Sequence, residues 1–92
     1  MAFNYERLPV TNTVGTLTPE KYRPSNVHAK YAFCIVMTAP INVLWTGQDP
    51  STAEGIPYNP YDMFILEGLG DIQNLKYIRS GGSDGELRVV YG

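Results

Sequence analysis

Glycine and proline interrupt this sequence so often that a long helix has no room to form. The 92 residues hold nine glycines and seven prolines, and every window long enough for three helical turns is broken by one of them or dominated by β-branched and aromatic residues. Such punctuation favours short strands joined by turns. A chain of this length also builds one core at most. We therefore predict a single small all-β domain, a β-sandwich or a partly open barrel of antiparallel strands.

The most apolar run, 28–38, predicts the centre of the fold. Apolar residues occupy both alternations of this run, which is typical of a strand covered on both sides. Four further strands are predicted at 41–46, 61–67, 72–79 and 86–91, with an exposed loop at 47–55. One helical turn is the alternative at 71–77, because Ile72 and Leu75 have helical spacing.

Residues 1–26 have a different composition from the remainder. Three prolines stand there among Thr, Asn and Tyr residues, and only 10–18 suggests a short extended piece. Proline removes ladder donors and biases the preceding residue toward extended conformations. We predict an extended N-terminal arm over 1–26 and a β-domain over 27–92. A frayed terminus or one edge strand is the alternative for the first segment.

Catalytic residues are not indicated by the sequence. General acid and base catalysis uses titratable groups that converge in a cleft, often with a histidine. His28 is the only histidine, and Cys34 lies about 20 Å further along the same predicted strand. A Cys/His dyad along that strand is thus excluded, and we expect no enzyme activity and no catalytic residue.

Metal and cofactor sites are not indicated either. Asp49 with Glu54, and Asp84 with Glu86, are pairs of carboxylates in predicted turns. Neither pair matches the dense spacing of a calcium-binding loop, so both are interpreted as solvated carboxylates. We predict no metal ligands and no cofactor.

The net charge of −2 is spread along the chain, without the basic patch that nucleic acid requires. No apolar run approaches the roughly 18 residues of a membrane span, and we expect a soluble chain with no signal peptide. The single cysteine, Cys34, lies in an apolar run and is interpreted as a small buried hydrophobe. Without disulfides, a domain this small gains support from oligomer contacts.

Tyrosines outside the strongest strands are the candidate binding residues. Tyr and Trp combine a large apolar area with a hydrogen-bonding tip, and they are enriched at interfaces. The candidate partner-binding residues are Tyr5, Pro9, Tyr22, Tyr58 and Tyr61. The alternative for each tyrosine is packing over the edge of the small core.

The stretch 38–91 resembles small tailed-bacteriophage virion proteins. The pattern consists of Thr38-Ala39-Pro40 and an alternating strand, the turn 46–51 closed by Gly55, an aromatic strand ending at Gly68, then 75–81 and a terminal Leu87-x-Val89-x-Tyr91. The resemblance implies a β-rich virion structural protein, such as a capsid decoration (cement) protein, that clasps the capsid lattice with a proline-containing N-terminal arm. It transfers no catalytic residue.

The resemblance leads us to expect a virion assembly protein, made in the host cytoplasm, that stabilises the assembled head by bridging capsid subunits. Its expected partner is the major capsid protein or another virion protein, and a homo-oligomer is expected, with a trimer favoured. Head, tail and fibre locations all stay open. The alternative is a carbohydrate- or receptor-binding module of a phage tail or head fibre, with Trp45 and the tyrosines of 58–61 as stacking platforms.

Overall fold

The computed structural model describes residues 2–25 and 27–92. In these ranges the elements are β1 (Asn4–Val10), β2 (Gly15–Thr16), α1 (Pro19–Tyr22), β3 (Tyr31–Met37), β4 (Ile41–Leu44), β5 (Ile56–Tyr58), β6 (Met63–Glu67), α2 (Leu69–Asn74), β7 (Lys76–Arg79) and β8 (Gly85–Tyr91). The prediction of a small all-β fold is confirmed. Neither helix in this part of the chain is long and apolar enough to cross a membrane.

The strands form two antiparallel sheets of four strands each over the described residues, and these sheets do not close into a barrel. The first sheet has the order β1-β8-β3-β6, and the second has the order β2-β7-β4-β5. Buried residues of both sheets belong to one apolar cluster. The two sheets therefore share a single core, as in a β-sandwich.

Alternation along β3 explains how the sequence builds this core. Ala32, Cys34 and Val36 are fully buried, whereas the residues between them are only partly buried. Leu87 and Val89 of β8 oppose Val36 and Cys34 and are equally buried. A fully buried side chain of the size of Val or Leu contributes about 1.5–3 kcal/mol. The interpretation of Cys34 as a small buried hydrophobe is confirmed.

The central position predicted for the 28–38 run is also confirmed, because β3 lies between β8 and β6. The prediction that both faces of this strand are buried is wrong for one face. Tyr31, Phe33, Ile35 and Met37 alternate with the core residues and stay partly exposed. The reason is that the second sheet packs against one side of the first sheet, and these four side chains lie on the other side.

The separate N-terminal arm predicted for 1–26 is wrong over the described residues. β1 pairs with β8 along seven residues, from Asn4 opposite Tyr91 to Val10 opposite Gly85. Val10, Leu17 and Tyr22 belong to the buried core. An edge strand tolerates proline, because a residue without an N–H can face away from the ladder. Residues 3–25 are thus part of the β-domain and not an appendage.

A buried carboxylate fastens β1 to its surroundings. Glu6 Oε1 accepts a hydrogen bond from the Thr18 hydroxyl at 2.6 Å, and Oε2 accepts one from the Thr18 N–H at 3.2 Å. The Tyr91 hydroxyl, on fully buried Tyr91, donates to the same Oε2 at 2.5 Å. This network ties β1 to the segment before α1 and to β8. Buried acceptors need such partners, since a buried polar group without them costs free energy.

Residues 69–74 form α2, so the strand predicted to begin at 72 is wrong over its first three residues. Ile72 in α2 and Leu75 directly after it are 1% and 0% exposed. Side chains three positions apart share one side of a helical turn, but they point to opposite faces of a strand. Burying both side chains in the same core therefore selects the helical turn, and β7 begins only at Lys76.

The loop predicted at 47–55 covers the outward side of β4. Asn42, between the inward residues Ile41 and Val43, is buried, and its Nδ2 donates to the Ser51 carbonyl at 2.9 Å. Lys76 on β7 holds the loop through an ion pair with Asp49 at 2.8 Å. The outward side of β4 thus has cover from its own chain, whereas the described residues leave the outward side of the first sheet open.

Candidate partner-binding surfaces

The outward side of the first sheet, called here the outer face, carries rows of side chains that cross its strands. Directly opposed residues of paired strands lie on the same face. The register therefore defines three rows, which are Tyr5, Val90, Phe33 and Ile65; Arg7, Arg88, Ile35 and Met63; and Pro9, Glu86 and Met37. The first row is apolar from one edge of the sheet to the other.

The exposed fractions on the outer face are high for such large apolar side chains. Met63 is 59% exposed, Ile65 55% and Tyr5 45%. Phe33 and Ile35, between them, are partly exposed. Soluble monomers seldom expose large contiguous apolar patches, and patches of this kind mark interaction sites. The outer face is therefore the main candidate surface for a partner.

Charged residues border this apolar area at the β1–β8 side. Glu86 Oε1 accepts a hydrogen bond from Arg7 at 2.8 Å, and its Oε2 accepts one from Arg88 at 2.7 Å. The hydrogen bond from Arg7, followed by that from Arg88, lowers the pKa of Glu86 below its ordinary value, while desolvation acts in the other direction. An apolar centre with an ordered polar rim has the layout of a protein interface.

A second candidate site is a pocket of about 400 Å³ between the two sheets, beside β6. Its walls include the aromatic side chains Trp45, Tyr58 and Phe64 and the carboxylates Glu67 and Asp71. Tyr58 ends β5 in the second sheet, and Phe64 lies on β6 in the first. Their rings stack with centroids 4.5 Å apart and planes at 24°. This stack bridges the two sheets and forms one wall of the pocket.

The five sequence-predicted binding residues have different positions. Tyr5 and Pro9 are exposed on the outer face. Tyr58 lines the aromatic pocket. Tyr61 is 71% exposed in the turn before β6 and has a left-handed backbone (φ 72°). Its backbone N–H donates a hydrogen bond to the Val36 carbonyl of β3 at 2.6 Å. The prediction that Tyr22 binds a partner is wrong, because Tyr22 is only 7% exposed and packs against Tyr91 in the core.

Sequence reasoning missed most of the outer face. Phe33 and Ile35 lie in the run that the sequence predicts to be covered on both sides, and Met63 and Ile65 lie in the predicted strand at 61–67; none of the four was predicted to bind a partner. The signal was nevertheless present, since a strand with apolar residues on both alternations needs cover on both sides. Where the chain covers one side only, the other is left for a partner.

Cys34 and His28, the cysteine and the histidine of the sequence, lie in different environments. Burial raises the pKa of the Cys34 thiol to about 12, with a smaller contribution from the Glu6 charge, so the thiolate that a nucleophile needs is disfavoured. His28 is exposed. Within residues 2–25 and 27–92, no group of three or more His, Cys, Asp or Glu side chains is placed to hold a metal ion.

Comparison of the chain with protein-family models, with curated proteins and with solved structures finds no match.

Proposed function

We propose that this chain is a non-catalytic structural protein of a bacteriophage virion that binds the assembled head through its outer face. The observation that carries the proposal is the apolar row from Tyr5 to Ile65, which crosses the first sheet without cover from the described chain. The resemblance of residues 38–91 to small virion proteins supplies the class of partner, which is the major capsid protein or another virion protein.

The mechanism is mass action on the assembled state. A protein that binds only the lattice stabilises it by the free energy of that binding. Burial of Met63, Ile65 and Tyr5 supplies the apolar part, at about 25 cal/mol for each Å² removed from water. Clustering of several copies, with a trimer favoured, multiplies weak contacts through effective concentration. In this scheme the protein bridges neighbouring capsid subunits.

The docked N-terminal segment changes how attachment works in this proposal. Since β1 is held by β8 and by Glu6, residues 4–10 contribute to binding as a fixed part of the outer face and not as a free arm that orders on assembly. A prearranged surface binds without a large ordering cost. Tyr5 and Pro9 retain the partner-binding role predicted for them, but in a rigid setting.

A carbohydrate- or receptor-binding module is the second candidate function. One observation favours it: Trp45 and Tyr58, the aromatic residues that the sequence nominates for stacking, line the same pocket. Against it, Tyr58 already stacks on Phe64, and the exposed Tyr61 is not among the residues that line the pocket.

The experiment uses virions of the phage that encodes this chain, produced with and without its gene. Purified chain is added back to the deficient particles as wild type, as Ile65→Asp and as Thr52→Asp, a matched charge change in the exposed 47–55 loop. Bound copies are counted by quantitative mass spectrometry, and the temperature of head disruption is measured by light scattering. Circular dichroism melting confirms that both variants fold.

Wild type and Thr52→Asp are expected to bind and to raise the disruption temperature, whereas Ile65→Asp stays folded and does not bind. Absence of the chain from wild-type virions would refute the virion assignment. Binding of Ile65→Asp equal to that of Thr52→Asp would refute the role of the outer face.

A further inference from the structure

The aromatic pocket has walls that are held in place from two sheets. Trp45 follows β4 and Tyr58 ends β5, both in the second sheet, while Phe64 lies on β6 in the first. All three pack against the buried core, and the stack of Tyr58 on Phe64 fixes their mutual orientation. The pocket, about 400 Å³, is in the size range of sites that take small ligands or single side chains.

The charge of this pocket has one sign. Glu67 at the end of β6 and Asp71 in α2 line it, and none of the lining residues is basic. In the part of the chain that the structure describes, neither carboxylate belongs to an ion pair. Lys76, on the neighbouring β7, is already paired with Asp49. The two negative charges beside the aromatic walls thus lack an internal counter-charge over the described residues.

Aromatic walls and unneutralised carboxylates together favour an organic cation. The ring faces attract an ammonium or guanidinium group electrostatically, and the carboxylates add direct charge pairing. Burial, with smaller contributions from nearby negative groups, raises the pKa of Tyr58, so its phenol is neutral at neutral pH and the negative charge of the pocket comes from the two carboxylates. An anion would be repelled, and a neutral apolar group would gain nothing from the carboxylates.

We propose that the pocket formed by Trp45, Tyr58, Phe64, Glu67 and Asp71 is a binding site for a lysine or arginine side chain of a partner protein. The aliphatic stem of such a side chain packs against the rings while its charged head meets the carboxylates. The site adjoins the outer face, because Ile65 lines the pocket and also belongs to the first row of that face, and it does not depend on the virion assignment. It gives the molecule a second point of attachment with a different chemistry.

Trp45, the only tryptophan of the chain, reports directly on occupancy. Its fluorescence is followed while the purified chain is titrated with N-acetyl-lysine amide, N-acetyl-arginine amide, the neutral analogue N-acetyl-norleucine amide, or galactose. The Trp45 indole N–H resonance in NMR spectra provides a second readout. The two cationic probes are expected to shift both signals saturably, with affinity that falls as salt is added. Norleucine amide and galactose are expected to bind more weakly.

Charge variants then locate the site. Glu67→Gln and Asp71→Asn are each expected to weaken binding of the cationic probes roughly two- to fivefold, as for removal of one exposed charge pair. Glu54→Gln, which makes the same charge change in the exposed 47–55 loop, is the matched control and is expected to leave affinity unchanged. Melting temperatures check that all three variants fold.

Four outcomes would overturn the proposal. Equal binding of norleucine amide would make the pocket merely apolar. Saturable binding of galactose without binding of the cations would favour a glycan site. Equal effects of Glu67→Gln and Glu54→Gln would show that only net charge matters. Self-association of the chain that Glu67→Gln abolishes, without added probe, would identify a second copy of this chain as the occupant.

Discussion

Substitution of Glu6 by alanine tests whether the N-terminal strand is an integral part of the domain. Glu6 is 9% exposed, and its carboxylate accepts hydrogen bonds from the N–H and hydroxyl of Thr18 and from the hydroxyl of Tyr91. In Glu6→Ala all three donors lose their acceptor at once. The Tyr91 hydroxyl, at the end of a fully buried side chain, has the least access to water as a replacement.

The expected cost follows from these contacts. Leaving one buried hydroxyl unsatisfied costs about 1–3 kcal/mol, and loss of a hydrogen bond to a charged group costs about 1.5–3 kcal/mol. Because the partly exposed Thr18 recovers some bonding with water, we expect a total loss of roughly 3–5 kcal/mol. Domains of this size have a free energy of unfolding of about 5–14 kcal/mol, so the loss is a large share of it. A loss of 3 kcal/mol lowers Tm by roughly 12–24 °C.

Urea unfolding followed by circular dichroism measures this loss, with Glu54→Ala as the matched removal of an exposed carboxylate. Tyr91→Phe alone is expected to cost about 1–2 kcal/mol. In the Glu6→Ala background the same change removes the orphaned hydroxyl, so its cost should fall toward zero or reverse sign. The buried network would be contradicted if Glu6→Ala were as stable as Glu54→Ala, or if the free-energy losses of Glu6→Ala and Tyr91→Phe were strictly additive. Either result would favour the loose arm for residues 4–10.

Two further predictions concern the core and one turn. The free energy of unfolding should fall as the pH rises above about 9. Burial is the chief cause that raises the pKa of the Cys34 thiol in the folded state from 9.0 to about 12, that of the Tyr77 phenol to about 12, and that of the Tyr91 phenol as well. The stability that these groups contribute is complete below their unfolded-state pKa values and is lost as the pH rises from those values through the folded-state ones. Denaturation midpoints between pH 7 and 11 measure this decline, and a flat profile would mean that these groups ionise equally well when folded. Gly85→Ala should destabilise the domain by about 1–3 kcal/mol, since its Cβ would lie 2.9 Å from a backbone carbonyl oxygen of the β3–β4 turn, whereas Gly82→Ala meets nothing within 4 Å and should melt like the wild type.

Local patterns in the sequence predict the strands that carry strong alternation, and they fail at two edge strands that contain proline, β1 and β5. β3, β4, β6 and β8 lie in predicted runs, because their apolar residues alternate between turn-forming segments. The residues of β1 were predicted as an arm, with one edge strand as the alternative, and β5 was not predicted; both are edge strands that contain a proline, Pro9 and Pro57. Proline argues against a central strand but is compatible with an edge position, and only pairing with a distant strand reveals which case applies.

The candidate sites show the same limit. Trp45 and Tyr58 were nominated from their residue type, whereas Phe64, Glu67 and Asp71 carry no local signal of a pocket. They meet because the register of β6 on β3 sets Phe64 opposite Cys34, turning its ring toward the second sheet. Such a meeting depends on pairings between segments far apart in the chain, which periodicity does not encode.

The position of β8 in the first sheet also determines when the domain can fold during synthesis. β8 lies between β1 and β3 in the first sheet. Before residues 85–91 have been synthesised, β1 therefore has no strand to pair with in this sheet, and β3 is paired along one edge only. Contacts of such large sequence separation are typical of slowly folding β proteins, on a scale of milliseconds to seconds. When the chain is tethered to the ribosome through C-terminal linkers of increasing length, we therefore expect it to stay sensitive to protease until the linker lets β8 leave the exit tunnel, and to acquire resistance in a single late step.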